Sequence, residues 1–436
     1  MKPAVTPSDT PRHLFVGWFF RFQRGVLLTA LLVWVVPGLA ESGPADTAAE
    51  EVELWHTFGV GGRNEKILED AVAAFERVNP EIDVRLTRIP YDQNLPQFIN
   101  ASQGGEAPDL IRVSDSELGK IGHISVEGLP LLEDLRPHLT PAQRSRFESR
   151  ALQALRYGDA LYAVPVSQDC MALVYNKALF DAAGLAYPKD EWTTDDMIRA
   201  ALTLTSGNVK GISIPMRWSY WFLPFLNGFG GSLFDEYGQP TLNSPGSAEA
   251  MNWYIGLYRQ YGIVAPGVYI DTMSTQYMQG RAAMILDGPW NLGKYQAAGL
   301  DLGIALMPIQ TETGLRLRPM FSYFGWAMSK QSAVKVAAVR LALWLSRDGV
   351  QKEFALASYT MPVAPAVWEL PEIAGDAFLQ AYLRQTKYGF QYPRIRATSM
   401  AFEQLDTAME MTYTGEMTAQ QALDAANRTL QRMLAQ

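Results

Sequence analysis

Stretches in which apolar and polar residues alternate recur along this chain, separated by stretches with an apolar residue at every third or fourth position. Residues 52–58 alternate as a strand does, residues 65–76 carry one apolar helical stripe, and residues 82–89 alternate again. Residues 109–113 and 161–166 have the pattern of further strands. This strand–helix–strand order predicts an α/β fold built from βαβ units around a mostly parallel sheet.

A second set of α/β elements follows in the other half of the chain. An apolar strand is predicted over residues 171–175, and a helix is predicted to start at Thr193 or Thr194, which cap a first turn containing acidic residues. Amphipathic helices are predicted over residues 248–261, 333–345 and 419–434. The length of the chain and these two sets of elements indicate two or three domains.

The apolar run over residues 282–286 is followed directly by Asp287-Gly288-Pro289-Trp290. Because proline cannot donate to a sheet and glycine permits a sharp turn, the run is predicted to be a buried strand that ends there. Trp290 would then lie at the end of a strand, where open α/β sheets place their ligands. The alternative is a core aromatic, since tryptophan is mostly buried.

Two dense groups of aromatic residues lie at residues 217–222 and 321–326. A core helix would space its apolar residues three and four apart, so rings this close together leave some outside any single core face. Exposed aromatic rings stack on the apolar faces of sugar rings, and their polar edges bond hydroxyl groups. Both groups therefore predict a sugar-binding surface, with core packing as the alternative for each ring.

The chain of 436 residues is 48% hydrophobic and 19% charged, and its first 40 residues differ from the remainder. Basic residues precede an apolar run over residues 25–36, and Gly38-Leu39-Ala40 offers a small-x-small cleavage site. This pattern predicts a signal peptide over residues 1–40, followed by a flexible leader over residues 41–51. With no cysteine near Ala40 for a lipid anchor, we expect a soluble protein of a Gram-negative periplasm.

The charge of the exported chain narrows the choice of partners. Without residues 1–40, the 37 basic residues fall by 4 to 33 and the 45 acidic residues fall by 1 to 44, a net charge of −11. An acidic surface argues against nucleic acid or an anionic membrane as a partner. We expect a monomer.

Cofactor and catalytic motifs are sparse. The histidines after residue 40 are His56, His123 and His138, scattered in sequence, and Cys170 is the one cysteine, so we expect no metal site, no cofactor and no disulfide. There is no Gly-x-Ser-x-Gly nucleophile motif. The glycines at 59–62 lack the lysine of a phosphate-binding loop and are predicted to form a tight turn.

Ten short stretches occur in an order shared with one family. They are Glu53–Trp55, Asn79-Pro80, Ala107–Leu110, Ala163–Pro165, Leu173–Lys177, Asn227–Gly231, Gly280–Met284, Asp287–Trp290, Met361–Val363 and Glu416–Leu423. In this order the chain resembles the extracellular solute-binding proteins of bacterial ABC importers, in the sugar-binding group that includes maltose-binding protein. The resemblance covers residues 52–434.

The resemblance implies a two-lobed periplasmic binding protein fold with three hinge crossings, near residues 166–169, 322–325 and 359–362. Lobe 1 would comprise residues 52–167 and 324–359, and lobe 2 residues 168–323 and 360–436. A mono- or oligosaccharide would bind in the cleft between the lobes and be delivered to the permease subunits in the membrane.

The resemblance also implies a set of ligand-binding residues. Trp290 and Tyr220 fall where family members carry sugar-stacking rings, and Asp169 falls at a ligand-binding carboxylate. Together with residues of the two aromatic groups and of the strand ends, the candidate ligand-binding residues are Trp55, His56, Thr57, Ser114, Asp115, Ser116, Asp169, Trp218, Tyr220, Trp221, Asp287, Trp290, Tyr323, Gly325, Trp326 and Arg394. Arg394 and Arg396 would bond hydroxyls or a phosphate, or form a solvated surface pair.

Two alternatives stay open for the ligand and one for the activity. The chain departs from maltose-binding protein at residues 59–62, which hold no Asp-Lys pair, and at Ser114, where that protein has an aromatic residue. A polyol or a glycerol phosphodiester is therefore an alternative ligand. The alternative activity is that of a secreted glycoside-acting enzyme, which needs two carboxyls roughly 5 to 9.5 Å apart, and Asp169 and Asp287 are the candidate pair.

Overall fold

The predicted alternation of strands and helices is present in the computed structural model, which describes residues 49–435. The strands are β1 Glu50–His56, β2 Ile82–Arg88, β3 Leu110–Ser114, β4 Ser125–Val126, β5 Leu129–Pro130, β6 Arg156–Tyr157, β7 Ala160–Leu161, β8 Ala163–Cys170, β9 Ala172–Asn176, β10 Lys210–Ser213, β11 Ala282–Asp287, β12 Leu302–Ala305 and β13 Phe321–Met328. The predicted signal peptide over residues 1–40 lies outside the described residues.

Helices connect most of these strands. They are α1 Arg63–Val78, α2 Tyr91–Gly104, α3 Asp115–Ile121, α4 Pro141–Arg144, α5 Ser149–Ala154, α6 Lys177–Ala182, α7 Thr194–Leu204, α8 Ser219–Gly228, α9 Pro245–Arg259, α10 Ile270–Met278, α11 Leu292–Ala297, α12 Lys335–Leu345, α13 Asp348–Ser358, α14 Pro365–Trp368, α15 Pro371–Ala374, α16 Ala377–Thr386, α17 Arg396–Thr414 and α18 Ala419–Leu434. Across residues 49–435, none of the helices combines the length and the apolar character needed to cross a bilayer.

Two separate sheets form the cores of two lobes, as predicted. The first is five-stranded, in the order β2-β1-β3-β13-β8, and the second is four-stranded, in the order β10-β11-β9-β12. Helices α1, α12 and α13 pack together on the first sheet, while α8, α9, α17 and α18 form a connected layer of the second lobe. The strands β9, β11 and β13 are buried along their whole length, so each sheet lies at the centre of its lobe.

The prediction of a mostly parallel sheet is wrong. Strand β1 is parallel to β2 and β3, and β10 is parallel to β11. However, β13 is antiparallel to both β3 and β8, and β9 is antiparallel to both β11 and β12. In the first sheet the chain leaves through β8 and returns through the adjacent β13, so these two neighbouring strands run in opposite directions.

Three chain segments lie side by side where the two lobes meet. Gln168 of β8 pairs with Tyr323 of β13 on one side and forms a β-bridge with Met361 on the other. The Gln168 amide N–H donates to the Met361 carbonyl at 3.0 Å, and its side chain donates to the Pro362 carbonyl at 2.7 Å. These segments coincide with the three predicted crossings, although the lobe boundaries at single residues stay predictions.

Several strand limits differ from those predicted by one or more residues, and two of these differences have a clear cause in the pairing. Strand β8 continues through Cys170 instead of ending at Val166, because residues 167–170 remain paired with β13. Strand β1 begins at Glu50, within the predicted leader, because Glu50 pairs with Ile82. The helix predicted to be capped at Thr193 or Thr194 begins at Thr194.

The cap of that helix is Thr193. Its hydroxyl accepts from the Asp196 amide N–H at 3.2 Å, and the Asp196 carboxylate accepts from the Thr193 amide N–H at 2.9 Å. Two of the amide groups left free at the start of a helix are thereby satisfied.

Candidate functional site

The ligand-facing edge of lobe 1 is built at the carboxyl end of β3. The amide N–H of Ser114 donates to the Glu117 carboxylate at 2.7 Å, and the Ser114 hydroxyl accepts from the Glu117 amide N–H at 3.3 Å. This reciprocal cap starts α3 immediately after the strand. It fixes Asp115 and Ser116 at the edge of the sheet, where α/β folds place their ligands.

Asp169 lies on β8 where the chain passes between the lobes. Its carboxylate accepts no hydrogen bond from residues 49–435, and its pKa is raised to about 7. The main cause is burial, which disfavours the charged form; Arg112 lowers this pKa and Asp115 raises it. A recessed carboxylate without a protein partner is suited to accept hydrogen bonds from a ligand.

Lobe 2 contributes aromatic rings to the same region. The Tyr220 ring lies 6.4 Å from that of Trp290, and both side chains are half-buried. Trp218 is 40% exposed at the start of α8. A β-carbon on Gly288 would overlap the Trp290 indole, so the turn predicted after β11 brings the indole back over its own backbone.

The two lobes converge on Asp169. Burial raises the pKa of Tyr220, and the negative charge of Asp169 raises it further. Burial also raises the pKa of Tyr91, with contributions from Glu117 and Asp169. Tyr91 belongs to lobe 1 and Tyr220 to lobe 2, so one phenol from each lobe lies within electrostatic reach of the same carboxylate.

Tyr91 was missed by sequence reasoning. It is 50% exposed, although its phenol is surrounded by protein on several sides, as expected for a side chain on the wall of a groove. It is the first residue of α2 and follows β2 after Ile89-Pro90. That position after a strand is the same signal that singled out Trp290, and it would have found Tyr91.

Arg112 was missed as well, because it lies inside an apolar strand. Its guanidinium carbon lies 4.9 Å from the centre of the Phe58 ring and 4.0 Å from that of Phe324. One Nη donates to the Thr57 hydroxyl at 3.0 Å, while the buried Nε has no partner among the described residues. Arg112 thus supplies a fixed positive charge near Asp169.

Lobe 1 and lobe 2 also meet directly beside α3. The carboxylate of Asp115 accepts from the Gln391 side chain at 3.1 Å, and Arg394 Nε donates to the Arg156 carbonyl at 3.2 Å. A small cavity here is lined by Asp115, Ser116, Gly119, Met320, Phe321, Ser322, Tyr392, Pro393, Ile395, Thr398, Ser399 and Phe402.

Burial raises the pKa of Asp115 to about 7, and Arg394 lowers it. Arg396 is exposed at the start of α17.

Three of the candidate aromatics lie in the core and not on a cleft surface. Trp326 is fully buried and Tyr323 is 1% exposed, because both lie on β13, which is covered along its whole length. Trp221 is 3% exposed, and its indole N–H donates to the Leu286 carbonyl at 2.8 Å. For these three rings the alternative interpretation, core packing, is the correct one.

Asp287 and Gly325 also have structural roles in place of the predicted contact with a ligand. The carboxylate of Asp287 accepts from the Gly288 amide at 2.8 Å, from the Asn291 side chain at 3.1 Å and from the Tyr295 hydroxyl. It is fully buried, and burial raises its pKa to about 6. Gly325 lies at a register shift of β13, where a β-carbon would come within 2.7 Å of the Val164 carbonyl oxygen.

The three candidates on β1 and just after it have different surroundings. Trp55 lies on a face of the sheet, and its indole N–H donates to the Glu53 carboxylate at 2.8 Å. His56 is buried, and burial is the main cause that lowers its pKa. Of these three candidates, Thr57 is the one linked to the surroundings of Asp169, because its hydroxyl accepts a hydrogen bond from Arg112. Among residues 49–435 no group of three His, Cys, Asp or Glu side chains is placed to hold a metal ion.

Half-buried aromatic rings beside a carboxylate that accepts no hydrogen bond from the described residues can bind a polyhydroxylated molecule. Rings cover the apolar faces of a sugar, and carboxylate and hydroxyl groups bond its hydroxyls. Tyr91, Ser116, Asp169, Tyr220 and Trp290 supply this combination.

Comparison with known proteins identifies the family of the chain. Residues 61–352 match the model of the bacterial extracellular solute-binding proteins. The galactooligosaccharide-binding protein of Bacillus subtilis is 23% identical over 404 residues, which cover 90% of this chain and 91% of the relative. The maltotriose-binding protein of Pyrococcus abyssi is 25% identical over 358 residues, which cover 80% of this chain and 74% of the relative.

A solved structure has the same fold. The maltose/maltodextrin-binding domain MalE of Bdellovibrio bacteriovorus, bound to maltotriose, matches with a TM-score of 0.81 and 21% identity, covering 88% of this chain and all of that one. The two-lobed α/β architecture and the family resemblance are both confirmed. The family model matches more than half of the chain, which therefore belongs to the bacterial extracellular solute-binding protein family.

Proposed function

We propose that this protein is the substrate-binding component of an ABC importer and that it binds a mono- or oligosaccharide in the cleft between its lobes. The observation that carries the proposal is the pair of half-buried rings of Tyr220 and Trp290, 6.4 Å apart, together with the recessed carboxylate of Asp169 on the crossing strand, which accepts no hydrogen bond from residues 49–435. Relatives named for galactooligosaccharide and maltotriose binding support an oligosaccharide.

Each cleft residue has a distinct role in this proposal. Tyr220 and Trp290 stack on one or two sugar rings from lobe 2, Tyr91 contacts the sugar from lobe 1, and Trp218 extends the aromatic surface outward. Asp169 accepts hydrogen bonds from ligand hydroxyls, which are charge-assisted and hence stronger than neutral ones. Since these groups come from both lobes, the full set of contacts forms only when the lobes are closed.

In this proposal the permease recognises the closed form of the protein. A ligand that contacts both lobes binds the closed form more tightly than the open form, and so shifts the population towards closure. The permease subunits then recognise the closed, loaded protein. We further propose that residues 1–40 direct export to the periplasm and that the mature protein works as a monomer.

We propose no catalytic activity for this protein. The family consists of substrate-binding proteins. Asp287, one of the two carboxyls that a glycoside-acting enzyme would need, has its oxygens engaged by Gly288, Asn291 and Tyr295. A carboxyl committed to the turn after β11 is a poor general acid or base.

A ligand screen tests the proposal. Purified mature protein is heated with maltotriose, galactotriose, sorbitol or glycerophosphocholine, and hits are titrated by calorimetry. A glycan should raise the melting temperature, because a ligand at about 100 times its Kd stabilises by about 2.7 kcal/mol.

Two results would contradict it. Binding of sorbitol or glycerophosphocholine without any glycan would replace the sugar by a polyol or a phosphodiester. Release of shorter sugars from the glycan, followed by chromatography over hours, would identify an enzyme.

A further inference from the structure

Residues 389–395 join α16 to α17 and run alongside the strand that returns to lobe 1. The Phe390 amide N–H donates to the Pro319 carbonyl at 2.9 Å, and the Phe390 carbonyl accepts from the Phe321 amide N–H at 3.0 Å. One end of the segment is therefore held by backbone hydrogen bonds at the start of β13. Its other end enters α17, which packs with α8 and α18 of lobe 2.

From this position the segment reaches lobe 1. Gln391 donates to the Asp115 carboxylate at 3.1 Å, and Arg394 Nε donates to the Arg156 carbonyl at 3.2 Å. Asp115 begins α3 and Arg156 belongs to β6, both of lobe 1. Two polar contacts between protein groups thus join the lobes beside the cleft.

Gly119 makes the close approach possible. A β-carbon at Gly119 would lie 3.3 Å from the Ile395 amide nitrogen and 3.4 Å from the Arg394 backbone, tighter than ordinary contact. Glycine inside a helix is unfavourable relative to alanine by roughly 0.5–1 kcal/mol, so a helical glycine is expected to have a packing reason. Here that reason is the backbone of the other lobe.

Charge along the same contact is complementary. Lys120, next to Gly119 on α3, lowers the pKa of Asp406 on α17, which burial raises. From the segment, Arg394 and Gln391 face Asp115 and lower its pKa, as do the backbone groups of Ser116 and Tyr323. Helices α3 and α17 pack against one another, and Lys120 and Asp406 place opposite charges on the two helices.

We propose that this contact between α3 and residues 389–406, which we call the α3–α17 seam, favours the closed arrangement of the lobes before a ligand binds. Gly119 and Gln391 act as positioning residues: they touch no ligand but set how much of the free protein is closed. The apparent dissociation constant equals the intrinsic one divided by the fraction in the competent state, so a weaker seam weakens binding with an intact cleft.

Two variants break the seam in different ways. Gly119→Val places a branched side chain against the Ile395 and Arg394 backbone, and Gln391→Ala removes the bond to Asp115. The matched control is Gly349→Val, because Gly349 is also helical and a β-carbon there meets nothing within 4 Å.

Small-angle X-ray scattering of the free protein is the first measurement. Both seam variants should have a larger radius of gyration than the parent protein, and Gly349→Val should not. The second measurement is calorimetric titration with maltotriose, which rests on the proposed function. Both seam variants should bind roughly three- to thirtyfold more weakly, and the saturated variants should scatter like the saturated parent.

The two measurements test the seam and the proposed sugar binding independently. Folded seam variants with the parent's radius of gyration overturn the seam, as does an equal expansion in Gly349→Val. If Gly119→Val fails to fold, Gln391→Ala decides. If maltotriose and the other glycans bind to none of the proteins, the proposed function fails, while scattering of the free proteins still decides the seam.

Discussion

The indole ring of Trp290 lies over the α-carbon of Gly288, in the space that a β-carbon would occupy. The ring is thereby held between the turn after β11 and Tyr220, whose ring centre is 6.4 Å away. Gly288→Ala should displace the indole and weaken glycan binding, measured by calorimetry, while the strand before it stays folded. Gly293→Ala is the control, because a β-carbon there meets nothing within 4 Å. Equal affinity of Gly288→Ala and wild type would show that the indole does not contact the ligand.

Truncation of Trp290 should affect ligand binding, whereas truncation of Trp221 should affect stability. Trp290→Ala should weaken glycan binding by roughly 1–3 kcal/mol, the range for an aromatic side chain stacked on a base, used here as an analogue. Trp221 is buried and bonded to Leu286, so Trp221→Ala should lower the free energy of unfolding by about 3–5 kcal/mol. Calorimetry and chemical denaturation measure the two effects. A large loss of stability in Trp290→Ala with unchanged affinity would place that ring in the core.

Asp169→Asn should weaken glycan binding by about 1.5–3 kcal/mol, because the amide keeps the shape but loses the charge that strengthens its hydrogen bonds. Calorimetric titration of the identified glycan measures this. The neighbouring Cys170 is the control: it is fully buried, and burial raises the pKa of its thiol well above the ordinary value. Cys170→Ser should therefore leave affinity nearly unchanged, and thiol labelling of the native protein should be slow. Fast labelling that the glycan blocks would count against this assignment.

The stability of the free protein should rise as the pH falls from 7 towards 4. The pKa of Asp169 is about 7 in the folded protein and 3.8 ordinarily, so in this range the folded chain keeps a proton that the unfolded chain has lost. Asp115, with a folded pKa of about 7, acts in the same direction. Denaturation at several pH values measures the slope, and Asp169→Asn should reduce it.

Glycan affinity should change in the opposite direction with pH. Sugar hydroxyls donate to the charged carboxylate, so binding favours loss of the Asp169 proton and weakens as the pH falls below about 7. Titrations in two buffers of different ionisation enthalpy would detect the released proton. An affinity that is flat between pH 5 and 8 would show that Asp169 does not bond the ligand.

Export can be checked independently of binding. The small-x-small pattern ending at Ala40 predicts a mature protein that starts near Glu41. Intact-mass analysis of protein recovered from the periplasm measures this directly, and a mass that includes residues 1–40 would contradict it.

Much of the fold could be read from the sequence because local patterns determine it. The helix over residues 419–434 has the predicted limits, since its apolar stripe and its cap at Thr418 agree. The strand over residues 282–286 extends one residue further, to Asp287, before the predicted turn. The direction of β13 could not be read, because pairing between distant segments leaves no period in the sequence.

The site was harder to predict than the fold. Trp221 and Trp218 lie in one aromatic group, yet Trp221 bonds Leu286 in the core and Trp218 is exposed, because Trp218 is the extended residue that precedes α8 whereas Trp221 lies within the helix. Composition cannot separate them. Arg112 escaped notice for a similar reason: an arginine in an apolar strand is explained only by the Phe58 and Phe324 rings that the fold brings to it.

The adjacency of three chain segments at Gln168 limits how the lobes can move. Strands hydrogen-bonded side by side resist sliding along one another, since every shift in register breaks a backbone bond, but they tolerate changes in twist. We therefore expect the lobes to move relative to one another by rotation about an axis that passes close to Gln168. If the rotation has a single axis, ligands of different size would change one angle, and a partner that recognises the protein would respond to that angle whatever the ligand.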